Sequence, residues 1–211
     1  MYLDIDKLGV RNSYKLLTNL VVPRPIALVT SADAHGHLNA APFSFFNLIG
    51  ADPPLVVLGV GNDASGLPKH TARNIAETRQ FVVNLVTEEL SAAMNICAID
   101  FPDRFSELAA AGLHTAASVR ISVPRIAEAR VSLECELVQS QRIGQNNVII
   151  GQVLALHTAD GVVDERHNVH DFAPIGRMGA PSWYCRSTDH FEIHRMTFAQ
   201  WQAQQQANTN P

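Results

Sequence analysis

The stretch Asn39-Ala40-Ala41-Pro42-Phe43-Ser44-Phe45-Phe46-Asn47 packs aromatic, small and hydrogen-bonding side chains into one extended run. Alternation predicts Ala41, Phe43 and Phe45 on one face and Pro42, Ser44 and Phe46 on the other. Pro42 has no amide hydrogen to give to a ladder, so its strand is expected at a sheet edge or bulged there. Backbone groups freed beside it need other partners, and a flat, polar-edged ring would serve. A core strand with a proline bulge accounts for the same residues.

Reading outward, short strands dominate. Pro25 to Thr30 is apolar and β-branched, Asp33-Ala34-His35-Gly36 has hairpin-turn chemistry, and the return strand runs from Leu38 to Phe45. Asp52-Pro53-Pro54 is a break before a strand from Leu55 to Val60, and Phe81 to Val86 is another. Val131 to Gln141 alternates, with Val131, Leu133, Cys135 and Leu137 on one face. The turn at Gly144 to Asn147 returns it into Val148 to His157, which predicts an antiparallel hairpin. Three helices fill the gaps: one capped by Thr71 and running to about Arg79, one capped by Thr87 and passing through Leu90, Met94 and Cys97, and one from Asp103 to Ala111 stopped by Gly112. Many short strands separated by turns favour a closed barrel. No strict strand–helix alternation and no G-x-G-x-x-G after a strand appears, which disfavours a Rossmann site.

The composition is globular: 211 residues, 46% hydrophobic and 17% charged. A net charge of −4 gives no bulk attraction to nucleic acid or to an anionic membrane. Cys97, Cys135 and Cys185 are far apart and lack metal spacing, so no disulfide framework is expected and a reducing compartment is. The start Met1 to Gly9 lacks a basic, then apolar, leader, and no apolar run reaches the roughly 20 residues of a membrane helix. A soluble, cytoplasmic protein is expected, with one domain over 1–199 and a polar, flexible tail over 200–211.

Two further segments carry chemistry. Ser65 to Ile75 (S-G-L-P-K-H-T-A-R-N-I) sets Lys69 and Thr71 where a helix should begin. Free amides and partial positive charge at such a terminus, with an ammonium and a hydroxyl, suit a phosphate dianion. An ordinary capped helix with solvated basic residues has the same pattern, and the glycine spacing of a P-loop is absent. Pro174 to Tyr184 (P-I-G-R-M-G-A-P-S-W-Y) reads as a loop exposing Arg177 and aromatics, of the kind that binds ligands or covers a neighbour's site. His157, His167 and His170 read as solvated loop residues, with no metal site expected. No nucleophile elbow, electropositive cysteine or carboxylate dyad stands out, so no catalytic side chain is assigned.

The combination, in order, is R-P-I-A-L-V-T-S, N-A-A-P-F-S-F-F-N, D-P-P, K-H-T-A-R-N-I, F-V-V-N-L-V, L-E-C-E-L and G-R-M-G-A-P-S-W-Y. From about Pro23 to about Tyr184 it resembles the flavin reductase-like, FMN-binding split-barrel family that includes flavoredoxin. The resemblance implies a mainly β fold with inserted helices, a six-stranded Greek-key split β-barrel. It further implies a homodimer with FMN near the interface. Carried over, Asn39, Ser44 and Phe45 would contact the ring or ribityl chain, with Thr30 and Ala41 contributing nearby and Phe46 helping to wall one ring face. Lys69 and Thr71 would hold the phosphate, and Arg177 and Tyr184 would reach a flavin, in this chain or its partner. His70 departs from the pattern, where the family more often has an acidic residue. The implied reaction is hydride transfer from NADH or NADPH to the flavin. A flavoredoxin-like electron carrier without nicotinamide turnover and a non-catalytic flavin-binding module remain open, as does a monooxygenase or other redox partner.

Overall fold

In the computed structural model, residues 1–102 and 105–209 are described, with side chains described through Gln205. Helix α1 (Ile5–Leu20) and strand β1 (Arg24–Pro25) precede β2 (Ala27–Ala32), β3 (Leu38–Phe43), β4 (Phe46–Ala51) and β5 (Pro54–Gly61). Helix α2 (His70–Thr78) leads into β6 (Gln80–Leu85), followed by α3 (Ser91–Ile96), α4 (Glu107–Ala110), β7 (Thr115–Ala116) and β8 (Arg125–Ile126). The long hairpin β9 (Val131–Ile143) and β10 (Asn146–Thr158) follows, and then β11 (Ile175–Arg177), β12 (Tyr184–Arg186) and α5 (Phe198–Thr209).

The main sheet has seven strands in the order β3-β2-β6-β9-β10-β5-β4, every neighbour antiparallel. Its two edge strands are consecutive in the chain, because β3 ends at Phe43 and β4 begins at Phe46. Ser44 and Phe45 alone span from one edge to the other, so the sheet must curl until its edges nearly meet. The result is a barrel closed by the covalent chain and split between β3 and β4. The Gly59 amide donates to Phe45 O at 2.7 Å and fastens the crossing to β5. A Cβ at Gly59 would lie 3.0 Å from that of Phe45, so the close approach depends on glycine.

Two apolar layers hold this shape. Val29, Val56, Leu58, Phe81 and Ile149 fill the barrel interior, plugged by Ala72 and Ile75 of α2. Outside it, Leu28 and Ala40 pack with Leu90 and Met94 near α3, Leu108 of α4 and Ile126 of β8. Both faces of β2 are therefore buried, which is why Pro25 to Thr30 reads as a continuous apolar run.

All six expected strands are present, and β4 is the seventh. The expected alternation through Asn39 to Asn47 breaks at the crossing: Phe45 is exposed while Phe46 turns into the core. Helix α1 was not expected. It is broken at Gly9 (φ 71) and buries only Thr18, so its apolar spacing marks no buried face. The expected loop at Pro174 to Tyr184 instead carries β11 and β12, which join β1 in a small sheet. Lys69, not Thr71, is the N-cap residue of α2 and makes no side-chain capping bond; Thr71 lies inside the helix. Helix α3 begins after Leu90, because Thr87 bridges Pro174 instead of capping. Ser106 caps α4, and Gly112 (φ 66) ends it as expected. Asp103, expected to start that helix, and Asn210 and Pro211 of the expected tail lie outside the described residues; the expected boundary at 200 falls within α5. His157 is a β10 residue bonded to Glu134, a buried β9 carboxylate, rather than a loop residue. No helix among the described residues is long and apolar enough to cross a membrane.

Candidate functional site

The free edge of β3 and the N-terminus of α2 face each other across a cavity of about 810 Å³, within the roughly 300–1,000 Å³ of ligand pockets. Asn39, Ala41 and Pro42 line it from β3, Lys69 and Thr71 from α2, and Glu107 from α4. β3 is an edge strand, as Pro42 predicts. The Ala40 amide points off that edge to Glu107 Oε2 (3.4 Å), and two residues on, Pro42 offers no donor.

The loop before α2 is set by Asp63, whose carboxylate accepts from the Ser65 hydroxyl and the Leu67 amide; these bonds hold its pKa below the usual carboxylate range. The chain then enters α2 with Lys69 extended at the N-cap and no capping side chain. The partial positive charge of the α2 N-terminus therefore meets the cavity without a capping side chain, a receptive setting for an anion. Lys69 Nζ stands 3.3 Å from Asp100 Oδ1, a pair in which the acid is 92% exposed. A phosphate dianion fits this setting: a helix N-terminus without a side-chain cap, one ammonium and a weakly committed counter-charge.

Behind the cavity lies a buried polar chain. The Asn39 amide satisfies all its neighbours when Oδ1 accepts from Thr71 Oγ1 (3.0 Å) and Nδ2 donates to Glu107 Oε1 (3.3 Å). Glu107 was not singled out in the sequence, and a lone Glu in a helical stretch gives no signal for it. Burial, with Glu107 beside it, pushes the Cys97 thiol up to about 11, so Cys97 stays protonated and inert.

A second group gathers at the barrel's split. Arg24 is buried and donates to Ser44 Oγ (3.4 Å), Thr18 O (2.6 Å) and Val21 O (2.7 Å). Its guanidinium is 6.0 Å from the Phe45 ring centre. Arg177 is its cross-strand neighbour and lies 4.8 Å from the Tyr184 ring centre. Neither arginine has a carboxylate partner among the described residues. Arg24 was missed in the sequence, where R-P reads only as a strand start.

The expected site residues thus divide. Asn39, Ala41, Lys69 and Thr71 share the cavity. Ser44 and Phe45 meet Arg24 at the split, Arg177 is its cross-strand neighbour, and Tyr184 lies against Arg177. β3 joins the groups: Asn39 to Ser44 spans about 17 Å of strand, comparable with a ribityl phosphate and its three-ring head laid end to end. Thr30 and Phe46 belong to neither: Thr30 is fully buried and donates to Pro124 O (2.7 Å), and Phe46 lies in the barrel core.

Residues 19–188 match the flavin reductase like domain. A 2-nitrobenzoate 2-nitroreductase of Pseudomonas fluorescens is 39% identical, with a TM-score of 0.85, covering 94% of this chain and 98% of that one. Nitrilotriacetate monooxygenase component B of Bacillus cereus is 33% identical, with a TM-score of 0.86, covering 92% and 98%. An NADH:riboflavin 5'-phosphate oxidoreductase of Streptomyces pristinaespiralis is 30% identical over 64% of this chain and 72% of its own length. The fold, the cavity and these likenesses agree: the chain belongs to the flavin reductase-like family of split-barrel proteins.

Proposed function

We propose that the protein binds FMN along β3 and accepts electrons for it from NADH or NADPH. The observation that carries this reading is the uncapped N-terminus of α2, with Lys69, opening on a cavity along a free strand edge. Lys69, the first-turn amides and Thr71 hold the phosphate end. Asn39 and Ala41 line the ribityl chain, and Ser44 and Phe45 meet the ring. Thr30 and Phe46 act from behind, by fixing β2 and the start of β4. When bound, the flavin supplies the redox chemistry, and the chain binds, orients and shields it. Arg24 and Arg177 are cations placed to stabilise negative charge that builds at the ring end on reduction.

A homodimer completes the reading, supported by exposed apolar side chains at Tyr14 and Leu17 of α1 and at Leu48 and Ile49 of β4. Similarity to a monooxygenase component supports a monooxygenase or other redox partner. Free thiols at Cys97, Cys135 and Cys185 suit a reducing cytoplasm.

The test is the visible spectrum of the purified protein with added FMN, followed by anaerobic NADH and NADPH. A colourless protein that takes up no added FMN overturns the reading. Rapid nicotinamide oxidation with free flavin identifies a reductase. A yellow protein without turnover identifies an electron carrier. One observation favours a second substrate: the cross-strand neighbours Arg24 and Arg177, without a carboxylate partner among the described residues and near exposed Phe45 and Tyr184, suit an aromatic carboxylate, and a relative 39% identical is named a 2-nitrobenzoate 2-nitroreductase. Reduction of 2-nitrobenzoate but not nitrobenzene by the FMN-loaded protein would establish it; equal rates would dismiss it.

A further inference from the structure

Loop 62–68, which delivers the chain to the start of α2, is shaped from within and placed from outside. Its shape comes from the Asp63 carboxylate, from the Asp63 amide donating to Leu67 O (2.8 Å) and from the Gly66 amide donating to Asp63 O (3.0 Å). These bonds close the loop on itself and leave its position against the barrel open. The position comes from the far end of the β9–β10 hairpin. The Asn62 amide donates to Gln145 O (2.9 Å), and Arg142 Nη2 of β9 donates to Gly66 O (3.2 Å). Asn62 Nδ2 donates to both Gly66 O and Gln145 Oε1, each at 3.0 Å. Behind Asn62 stands Asn147 of β10, 6% exposed, whose Nδ2 donates to Val60 O (3.1 Å) and to Asn62 Oδ1 (2.9 Å). Backbone carbonyls only accept, so Val60 O fixes the Asn147 NH2 at one end and Gly66 O fixes the Asn62 NH2 at the other. The two side chains then meet amide NH2 to amide oxygen, and turning either over would set oxygen against oxygen at a buried contact.

We propose that Asn147 is a positioning residue for the anion end of the site: acting through Asn62, it holds loop 62–68, and with it Lys69 and the start of α2, in place opposite β3. The inference rests on the flavin reading and deepens it. Of the two asparagines, Asn62 lines the cavity and Asn147 works through it. Ala72 and Ile75 anchor the body of α2 in the barrel core, so the helix itself does not depend on this relay. Its first turn does, because the chain reaches Lys69 directly from the loop. The effect of Asn147 is therefore confined to the phosphate end and does not extend to the ring.

Asn147→Ala removes both donors. FMN and riboflavin are titrated against wild type, Asn147→Ala and Gly151→Ala, the last a packing defect on the same strand that leaves the relay whole. Asn147→Ser, too short to reach Asn62 but still polar, is the milder cut should the alanine variant fail to fold. Either Asn147 variant should weaken FMN by about fivefold, the scale of one neutral hydrogen bond, and riboflavin by less than about twofold. Gly151→Ala should keep the wild-type ratio of the two affinities even as it lowers the melting temperature. Equal losses of both flavins in the Asn147 variants, an unchanged FMN affinity, or the same FMN-selective loss in Gly151→Ala overturns the proposal. A second readout needs no ligand: the Asn62 and Gly66 amides should exchange hydrogen about fivefold faster in the Asn147 variants and at the wild-type rate in Gly151→Ala. If no flavin binds wild type, the flavin reading fails by itself, and unchanged exchange at these amides overturns the relay separately.

Discussion

Replacing Lys69 with alanine separates the phosphate end of the proposed ligand from its ring. An ammonium about 4 Å from one phosphate charge is worth about 4 kcal/mol at an effective dielectric of about 20. Two features of the site reduce this. The Lys69 side chain is 43% exposed, so water and salt screen it. In the free protein it is also paired with Asp100 at 3.3 Å, and giving up an exposed pair returns up to about 1 kcal/mol. The net loss for FMN should be about 2 kcal/mol, or about 30-fold in Kd. Riboflavin lacks the phosphate and should change by less than about twofold, since a surface substitution away from its contacts has little effect. Flavin fluorescence quenching, titrated at low and high salt, reads both ligands, and the gap between them should narrow as salt rises. Equal losses for FMN and riboflavin, or no loss for either, would refute the assignment of the anion to the start of α2.

Glu134 accepts from the amides of Val119 and Arg120 (2.7 Å each) and Ile121 (3.2 Å), and from the His157 ring. Burial pushes its pKa up, but the bonds from His157, Val119 and Arg120 outweigh burial and leave it lowered. A lowered carboxyl lends stability above its unfolded pKa and loses it as pH falls through the folded one; Glu134→Gln should cost about 1–3 kcal/mol at pH 7 and flatten the acid limb. Urea unfolding at several pH values checks this, and parallel curves for both proteins would contradict it. A Cβ at Gly151 would run into the Phe81 ring, which is fully buried, so Gly151→Ala should destabilise by about 1–3 kcal/mol, which calorimetry would show as an unfolding midpoint lower by about 3–10 °C; an unchanged midpoint would count against the packing described. Burial, with Glu107 and Glu134 respectively, pushes the Cys97 thiol to about 11 and Cys135 to about 12, whereas Cys185 is half-buried. Native protein at about pH 8 should therefore titrate one thiol quickly and the others only on unfolding, because the thiolate is the reactive form; rapid labelling of Cys97 or Cys135 would be inconsistent with this.

What the sequence made legible follows physical reach. Six strands could be read because their patterns are local: β2 is apolar on both faces, and β9 alternates. β4 was hidden because its solvent-facing Leu48 and Ile49 and its bulge at Gly50 blur the alternation, and because Phe43 to Phe46 looks continuous across the crossing. Helix α1 was invisible for the opposite reason, since it buries almost nothing. In the site, Lys69 and Thr71 could be found because helix starts carry a local signature. Glu107 and Arg24 could not, because their importance lies in partners far along the chain: Asn39 for the first, and Ser44 and Arg177 for the second. Thr30 and Phe46 carry the right residue types on the right strands, but the sheet's curl turns them away from the cavity.

The crossing at Ser44 and Phe45 also decides how the barrel can breathe. A ladder across the slit would have to rupture, bond by bond, before anything entered between β3 and β4. Here a two-residue tether does the closing, so the slit can widen with every inter-strand hydrogen bond intact, as a clasp opens without tearing the cloth on either side. The same tether restrains two strand edges that would otherwise be free to pair with other chains. A chain nicked at that dipeptide would keep all its strands but leave both edges untethered, so the opening of the barrel and the restraint on its edges depend on the same two residues.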